Sequence, residues 1–442
     1  MRVRSNRRAT ALLFLFSVRS VSVAQISEVN TYNASSSISD ITAGPDGALW
    51  FTNCIEASCA STSIGRMTLV GGFVLYPTPG MFPAAITAGP DGQLWFTDSW
   101  TNSIGRICAS ASSATCPSVG HITEYPITTP DSEPSAIRAG PDGALWFTER
   151  AANRIGRVCA DTSAADCLSL GSITEYTVPT AGAAQRITAG PDAAMWFTEL
   201  AGNEDSGEIV RICATASAQG CSAVGQMTEY PIPPPGTPFD ITTGPDGALW
   251  FTDTSLQQIG RITVSGRVAE YPVDPGYDGL LYITPGADGT LWFLNIYDGD
   301  YGELGQITTS GEFVGYYIVG GFSNALATGP DGAIWIGNWY SGTIEQVFTT
   351  ARRNGIDMCA TCTAPSASEL IQLQEAGVKY AVVEGSQEGS SNPLKLLTKF
   401  SCAGVKTAVY CFYTSRRTPP RVTSKQRHVS TVLPAVSAIL AL

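Results

Sequence analysis

Between residues 25 and 350 the chain has no lysine, and over its 442 residues it has only two histidines, His121 and His428. Charged residues are scarce at 14%. No heptad or long helical pattern occurs before residue 366, which argues against a helical bundle or coiled coil. The longest early apolar run, Ala11 to Phe16, is too short to cross a bilayer. The missing lysine leaves residues 25–350 with 33 acidic groups against 10 arginines, a balance of −23, while the two ends together carry +11. A surface this acidic repels phosphate backbones and argues against nucleic acid as a partner, whereas a cationic ligand or a metal ion is electrostatically easier to hold; a solvated surface tuned for solubility accounts for the same balance.

What is abundant is a repeat. The phrase Gly-Pro-Asp-Gly-x-Leu-Trp-Phe, exact or degenerate, begins at Gly44, Gly89, Gly140, Gly190, Gly244, Gly286 and Gly329. The intervals of about 42–54 residues each accommodate four short strands, the signature of a β-propeller blade. In the fifth unit an alternating run, FDITTG, meets Pro245-Asp246-Gly247, and ALWFTD runs back from that turn. A third strand, QIGRITV, and a fourth, GRVAEYPV, follow. The third-strand phrase recurs at Ile64, Ile104, Ile155, Ile209, Ile259, Leu304 and Ile344, but no fourth strand follows the last copy. Gln25-Ile26-Ser27-Glu28-Val29 matches the missing phrase. The N-terminal strand is therefore expected to complete blade seven and close the ring, removing open sheet edges.

Arg2, Arg4, Arg7 and Arg8 precede the apolar run, and Ser22-Val23-Ala24 supplies small residues before the first strand. Residues 1–24 thus read as a secretory signal, and the protein as extracellular. Cysteine usage points the same way. Cys108/Cys116, Cys159/Cys167 and Cys213/Cys221 occupy one place in three successive blades, and Cys54/Cys59 bracket a loop in blade one. Each pair is expected to form a local disulfide rather than a metal site, since no second pair or histidine accompanies it.

Phrases such as ITAGPDGALWFTE in degenerate form at 187–199, NRIGRV and ITEYPI resemble those of the virginiamycin B lyases, also called streptogramin lyases, over residues 25–350. The resemblance implies a seven-bladed propeller that opens a lactone ring by elimination with Mg²⁺. It also implies histidines two residues before the inner-strand isoleucine in repeats six and seven, and a glutamate fourteen residues beyond the second. Here those positions read Leu281, Asn324 and Asn338. Leucine does not titrate, and asparagine cannot act as a general base. The corresponding positions of the other repeats are Ser39, Ala84, Ser135, Gln185 and Phe239, which restore no histidine pair.

A ring of polar residues at the hairpin ends remains: Asn53, Asp98, Glu149, Glu199, Asp253, Asn295 and Asn338. Four neighbours, Asp98, Glu149, Glu199 and Asp253, are carboxylates. If they face a common channel, repulsion raises some of their pKa values or recruits a hard cation, Mg²⁺ or Ca²⁺. The alternative is that each caps its own hairpin by accepting backbone N–H bonds.

After residue 350 lysine returns and the blade phrases end. A strand from Gly355-Ile356-Asp357, a helix over 366–376, a strand at Tyr380 to Val383, a helix over 393–402 and a strand from Thr407 form a βαβαβ pattern. This segment, 351–414, resembles the opening of the glycoside hydrolase family 25 muramidases. The resemblance aligns Asp357, Glu384 and Tyr410-Cys411-Phe412 with family positions. Residues 415–442 turn basic and then apolar, with no expected fold; a truncated barrel and a lipid-anchor signal both fit that ending.

The expected protein is an all-β, seven-bladed propeller, closed by its N-terminal strand, with a partial α/β barrel-like appendage. It is expected to be a secreted monomer that binds a small molecule or a glycan and does not span a membrane. The alternatives are an active streptogramin-type lyase and a wall-degrading hydrolase targeted by its propeller.

Overall fold

The computed structural model describes residues 25–350 apart from 35–36, 55–58, 60, 112–114, 165, 202–206, 274–278, 298–300 and 322, together with the backbone of 355–358 and 380–383. Seven four-stranded antiparallel sheets follow one another. In blades one to six the strands are consecutive in sequence and in space. Blade seven is assembled from Ser323–Thr328, Ile334–Asn338 and Thr343–Thr350, with Gln25–Asn33 added at its outer edge. The inner strands touch in order around a ring that closes between Ser323–Thr328 and Ser37–Ala43. No helix among the described residues is long and apolar enough to cross a membrane.

The repeated phrase builds each blade from its turn outward. Its glycine lies in the left-handed region, for example Gly47 at φ 75° and Gly247 at φ 71°. Only glycine enters that region at no steric cost. Blade four has Ala193 there, at φ 59°. The turn aspartate then binds twice. In blade three Asp142 Oδ1 accepts the Trp146 indole N–H at 3.0 Å, and Oδ2 accepts Arg157 Nε at 2.6 Å. The same pair of bonds recurs with Arg66, Arg106, Arg211 and Arg261, while Gln306 and Gln346 stand in for arginine in blades six and seven. The outer-strand tyrosine stacks on the same tryptophan, with ring centroids 5.5 Å apart for Trp146 and Tyr176. In Asp46 and Asp246 burial pushes the carboxyl up, but bonds from Trp50 and Arg66, or Trp250 and Arg261, outweigh it and leave the pKa lowered.

Side chains alternate along a strand, so Trp and Phe of the second strand face opposite neighbours. Trp146 packs in one core cluster with Phe197 of blade four, and Phe147 in another with Trp95 of blade two. At the closure Trp335 of blade seven packs with Phe51 of blade one. The third-strand glycine makes room for this phenylalanine: a Cβ on Gly156 would stand 2.0 Å from the Phe147 ring.

Ring closure follows the expectation, but its register does not. Tyr32, not a residue of the 25–29 match, stacks on Trp335 at 5.9 Å and lies opposite Ile344, as Tyr125 lies opposite Ile104. The true outer-strand phrase therefore sits three residues later than the Ile-Ser-Glu resemblance. Aromatic stacking and the Tyr32 hydroxyl bond to Gln346 Oε1 at 2.9 Å decide the register.

All four expected disulfides are present, Cys54–Cys59, Cys108–Cys116, Cys159–Cys167 and Cys213–Cys221. On the chain-entropy model each closes its short loop for roughly 2–3 kcal/mol. Arg106 Nη1 donates to Thr115 O at 3.2 Å, so the stapled insertion of blade two docks back on the arginine that holds the turn.

In the C-terminal segment Gly355–Met358 and Tyr380–Val383 pair in parallel. The helices over 366–376 and 393–402, the strand from Thr407, Glu384 and residues 410–412 lie outside the described residues, as do residues 1–24 and 415–442.

Two outcomes test the turn. The Arg157–Asp142 pair is nearly sealed, with side chains 7% and 1% exposed, whereas Arg66–Asp46 is 28% and 18% exposed. Asp142→Ala is expected to cost about 3 kcal/mol and Asp46→Ala about 1 kcal/mol in denaturant unfolding, because only the first strands a buried cation; the reverse order would refute the account. Ala193→Gly is expected to stabilise by about 1 kcal/mol by removing left-handed strain.

Candidate functional site

The ring residues lie on the second strand of each blade, at its last position for Asp98, Glu149, Asp253 and Asn338 and one or two residues before it for Asn53, Glu199 and Asn295, and all are buried. Asp98 Oδ1 accepts the backbone N–H groups of Phe82, Trp100 and Thr101 at 2.8, 3.0 and 3.2 Å. Asp253 Oδ1 likewise accepts those of Thr237, Ser255 and Leu256 at 3.0, 3.1 and 3.0 Å. Both are hairpin caps. Glu199 takes Asn153 Nδ2 at 3.1 Å and the Thr180 hydroxyl. Asn53 accepts the Ser63 hydroxyl at 2.5 Å. Asn338 accepts Ser323 Oγ at 2.7 Å and donates to Thr343 and Glu345.

Glu149 is different. Neither carboxyl oxygen has a hydrogen-bond partner of ordinary geometry. Burial, then repulsion from Glu175, push its pKa up to about 7. Among the described residues no group of three or more His, Cys, Asp or Glu side chains converges closely enough to hold a metal ion, so the donor set of four carboxylates does not fit Mg²⁺ or Ca²⁺.

No hydrogen bond joins the lyase-equivalent residues to one another among the described residues. Irregular register puts Asn338 opposite Ser323 and Asn295 opposite Leu280. Asn324 instead accepts the Tyr282 hydroxyl of blade six at 2.9 Å. Leu281 contributes its carbonyl, which accepts Thr252 Oγ1 of blade five at 2.7 Å. His121 is exposed at the start of an outer strand, and His428 lies outside the described residues.

A second constellation occupies the inner strands, and the sequence reading missed it. The residue just before the inner-strand isoleucine or leucine is alanine in blades two, three and seven but Asp40, Arg186, Asp240 and Tyr282 in blades one, four, five and six. That break in the repeat was the available signal. Arg186 lies over the rings of Phe239 and Tyr282, 5.5 and 5.1 Å from their centroids, and Nη2 donates to the Tyr282 hydroxyl at 3.2 Å. Phe239 meets Tyr282 edge-on at 5.7 Å. Asp40 accepts Ile41 N and, in the next blade, Ile86 N; Asp240 accepts Ile241 N and Ile283 N in the same way. Arg138 stands 3.9 Å from Asp40. Burial works against the Arg186 charge, but attraction to Tyr282, Asp240 and Asp40 outweighs it and raises the guanidinium pKa. Burial raises the Tyr282 hydroxyl, so the phenol stays protonated and donates to Asn324.

The raised Glu149 pKa carries a sign. The folded protein holds this proton more tightly than the unfolded chain, so stability falls as pH rises from about 4.5 to about 7 and the penalty is complete above that. Glu149→Gln is expected to stabilise by up to about 3 kcal/mol at pH 8 and to change little at pH 4. An unaltered pH slope in denaturation would contradict it.

The sequence profile of the virginiamycin B lyase family matches residues 18–212 and 215–368. Virginiamycin B lyase from Nocardia farcinica is 30% identical over 188 residues, 39% of this chain and 66% of that protein. The one from Mycolicibacterium smegmatis is 48% identical over 40 residues, 9% of this chain and 14% of that one. These matches therefore span less than two thirds of the curated relatives' lengths. Among solved structures, a streptogramin B lyase superposes with a TM-score of 0.59 at 29% identity, covering 73% of this chain and 98% of that chain. A catalytically inactive virginiamycin B lyase from Staphylococcus aureus with quinupristin superposes at 0.56 and 29% identity, covering 72% and 98%. The profile match, extending over more than half of the chain, and the seven-bladed architecture together establish that this chain belongs to the virginiamycin B lyase family.

Proposed function

We propose that the chain is a secreted ligand-binding propeller of the family that does not perform the lyase elimination. The observation that carries this reading is the chemistry at the implied base and acid positions. Leu281 has nothing to titrate, Asn324 is engaged by the Tyr282 hydroxyl, and Asn338 is held by Ser323, Thr343 and Glu345. General-base catalysis commonly contributes 10²–10⁴-fold, and a neutral amide supplies none of it. The signal-like residues 1–24 and four disulfides, bonds that persist in oxidising compartments, support export. The inner strands that gather Arg186, Phe239, Tyr282 and Asn324 offer aromatic and hydrogen-bonding groups together, the mixture that small-molecule sites use.

Family membership favours the rival reading, an active lyase, so the test is direct. The purified protein with added Mg²⁺ is expected not to linearise a type B streptogramin above background, with products followed by mass spectrometry. The variant combining Leu281→His, Asn324→His and Asn338→Glu serves as the comparison. Turnover by the unmodified protein would overturn the proposal.

A further inference from the structure

On the binding reading above, the ligand chemistry of this site follows from one cation that has no ion-pair partner among the described residues. We infer that the propeller channel recognises a small ligand carrying a single carboxylate or similar oxyanion, gripped by Arg186 and flanked by the Phe239 ring and the Asn324 amide.

Arg186 is placed by aromatic faces rather than by an acid. Its guanidinium lies over Phe239 and Tyr282 and makes one hydrogen bond, from Nη2 to the Tyr282 hydroxyl. Among the described residues it forms no ion pair within 4.0 Å, unlike Arg66, Arg106, Arg157, Arg211 and Arg261. The two aspartates whose field keeps it charged are committed elsewhere. Both oxygens of each accept backbone N–H groups: Oδ1 that of the following residue, and Oδ2 that of Ile86 or Ile283 in the next blade. Arg186 Nε and Nη1 donate to no described residue. The side chain is only partly buried, so these donors remain accessible. A guanidinium offers planar paired donors that match a carboxylate bidentately.

Tyr282 connects this cation to Asn324. Its hydroxyl accepts from Arg186 and donates to Asn324 Oδ1, which leaves the amide's Nδ2 as a further donor group of the constellation. Four successive blades thus contribute Arg186, Phe239, Tyr282 and Asn324. The acidic balance of −23 over residues 25–350 repels extended polyanions, which restricts the occupant to a small molecule whose one charge is met inside the channel.

Calorimetric titration of the full chain tests this with benzoate, inorganic phosphate and neutral benzamide. Benzoate is expected to bind and benzamide to bind at least tenfold more weakly; phosphate distinguishes a general oxyanion site from a carboxylate-specific one. Arg186→Gln is expected to lose at least tenfold in benzoate affinity, and Arg186→Lys to fall between, since it keeps charge but loses the fork. Should Arg186→Gln fail to fold, ¹⁵N-arginine spectra of the unmodified protein give an independent readout, in which benzoate is expected to shift the Arg186 Nε–H resonance. Benzamide binding as tightly as benzoate would overturn the oxyanion inference while leaving the binding reading standing. Binding of none of the three would overturn it as well, and an active result in the streptogramin assay would instead remove the reading on which it rests.

Discussion

The indole of each blade's tryptophan is the point on which the propeller depends. It is fully buried in all seven blades, and a buried indole N–H needs an acceptor. The turn aspartate four residues earlier supplies it and is itself neutralised by the third-strand arginine, or bonded by glutamine in blades six and seven. The outer-strand tyrosine then packs on the face of the ring. Turn, second strand, third strand and outer strand are therefore tied to one side chain, and the adjacent phenylalanine carries the contact to the neighbouring blade. This explains why a short phrase recurs with so little variation in its key positions.

The same interaction closes the ring. Blade seven lacks an outer tyrosine of its own, and Tyr32 fills the place at Trp335. Closure is thus a stacking and hydrogen-bonding event, and it overrides the stronger-looking sequence match at residues 25–29.

Departures from the repeat mark where the molecule does something other than stand up. Positions that break a local rule without an evident packing gain point to function. Asp40 and Asp240 repay their burial by joining blades. Arg186 and Tyr282 do not repay theirs in this way, and Tyr282 follows Leu281 and bonds Asn324, the two positions where the family resemblance implies histidines. The chain shares the family's propeller architecture, while Leu281, Asn324 and Asn338 stand where the resemblance implies titratable groups; on the proposed reading the inner strands serve recognition.

Blade number, the four-stranded repeat and the disulfide pairs were legible in the sequence, because each depends on contacts within a few tens of residues that recur at a fixed period. The hairpin-capping role of Asp98 and Asp253 was legible only as one of two readings, since a carboxylate at a strand end looks alike whether it faces a channel or its own turn; the backbone donors that decide it belong to the folded loop. Glu149 could not be separated from its ring neighbours, because its raised pKa comes from burial and from Glu175. The meeting of Arg186 with Tyr282, 96 residues away, was settled only by the tertiary structure. Closure of seven blades around one axis brings inner strands together whatever their separation along the chain, and no local pattern encodes which of their side chains then touch.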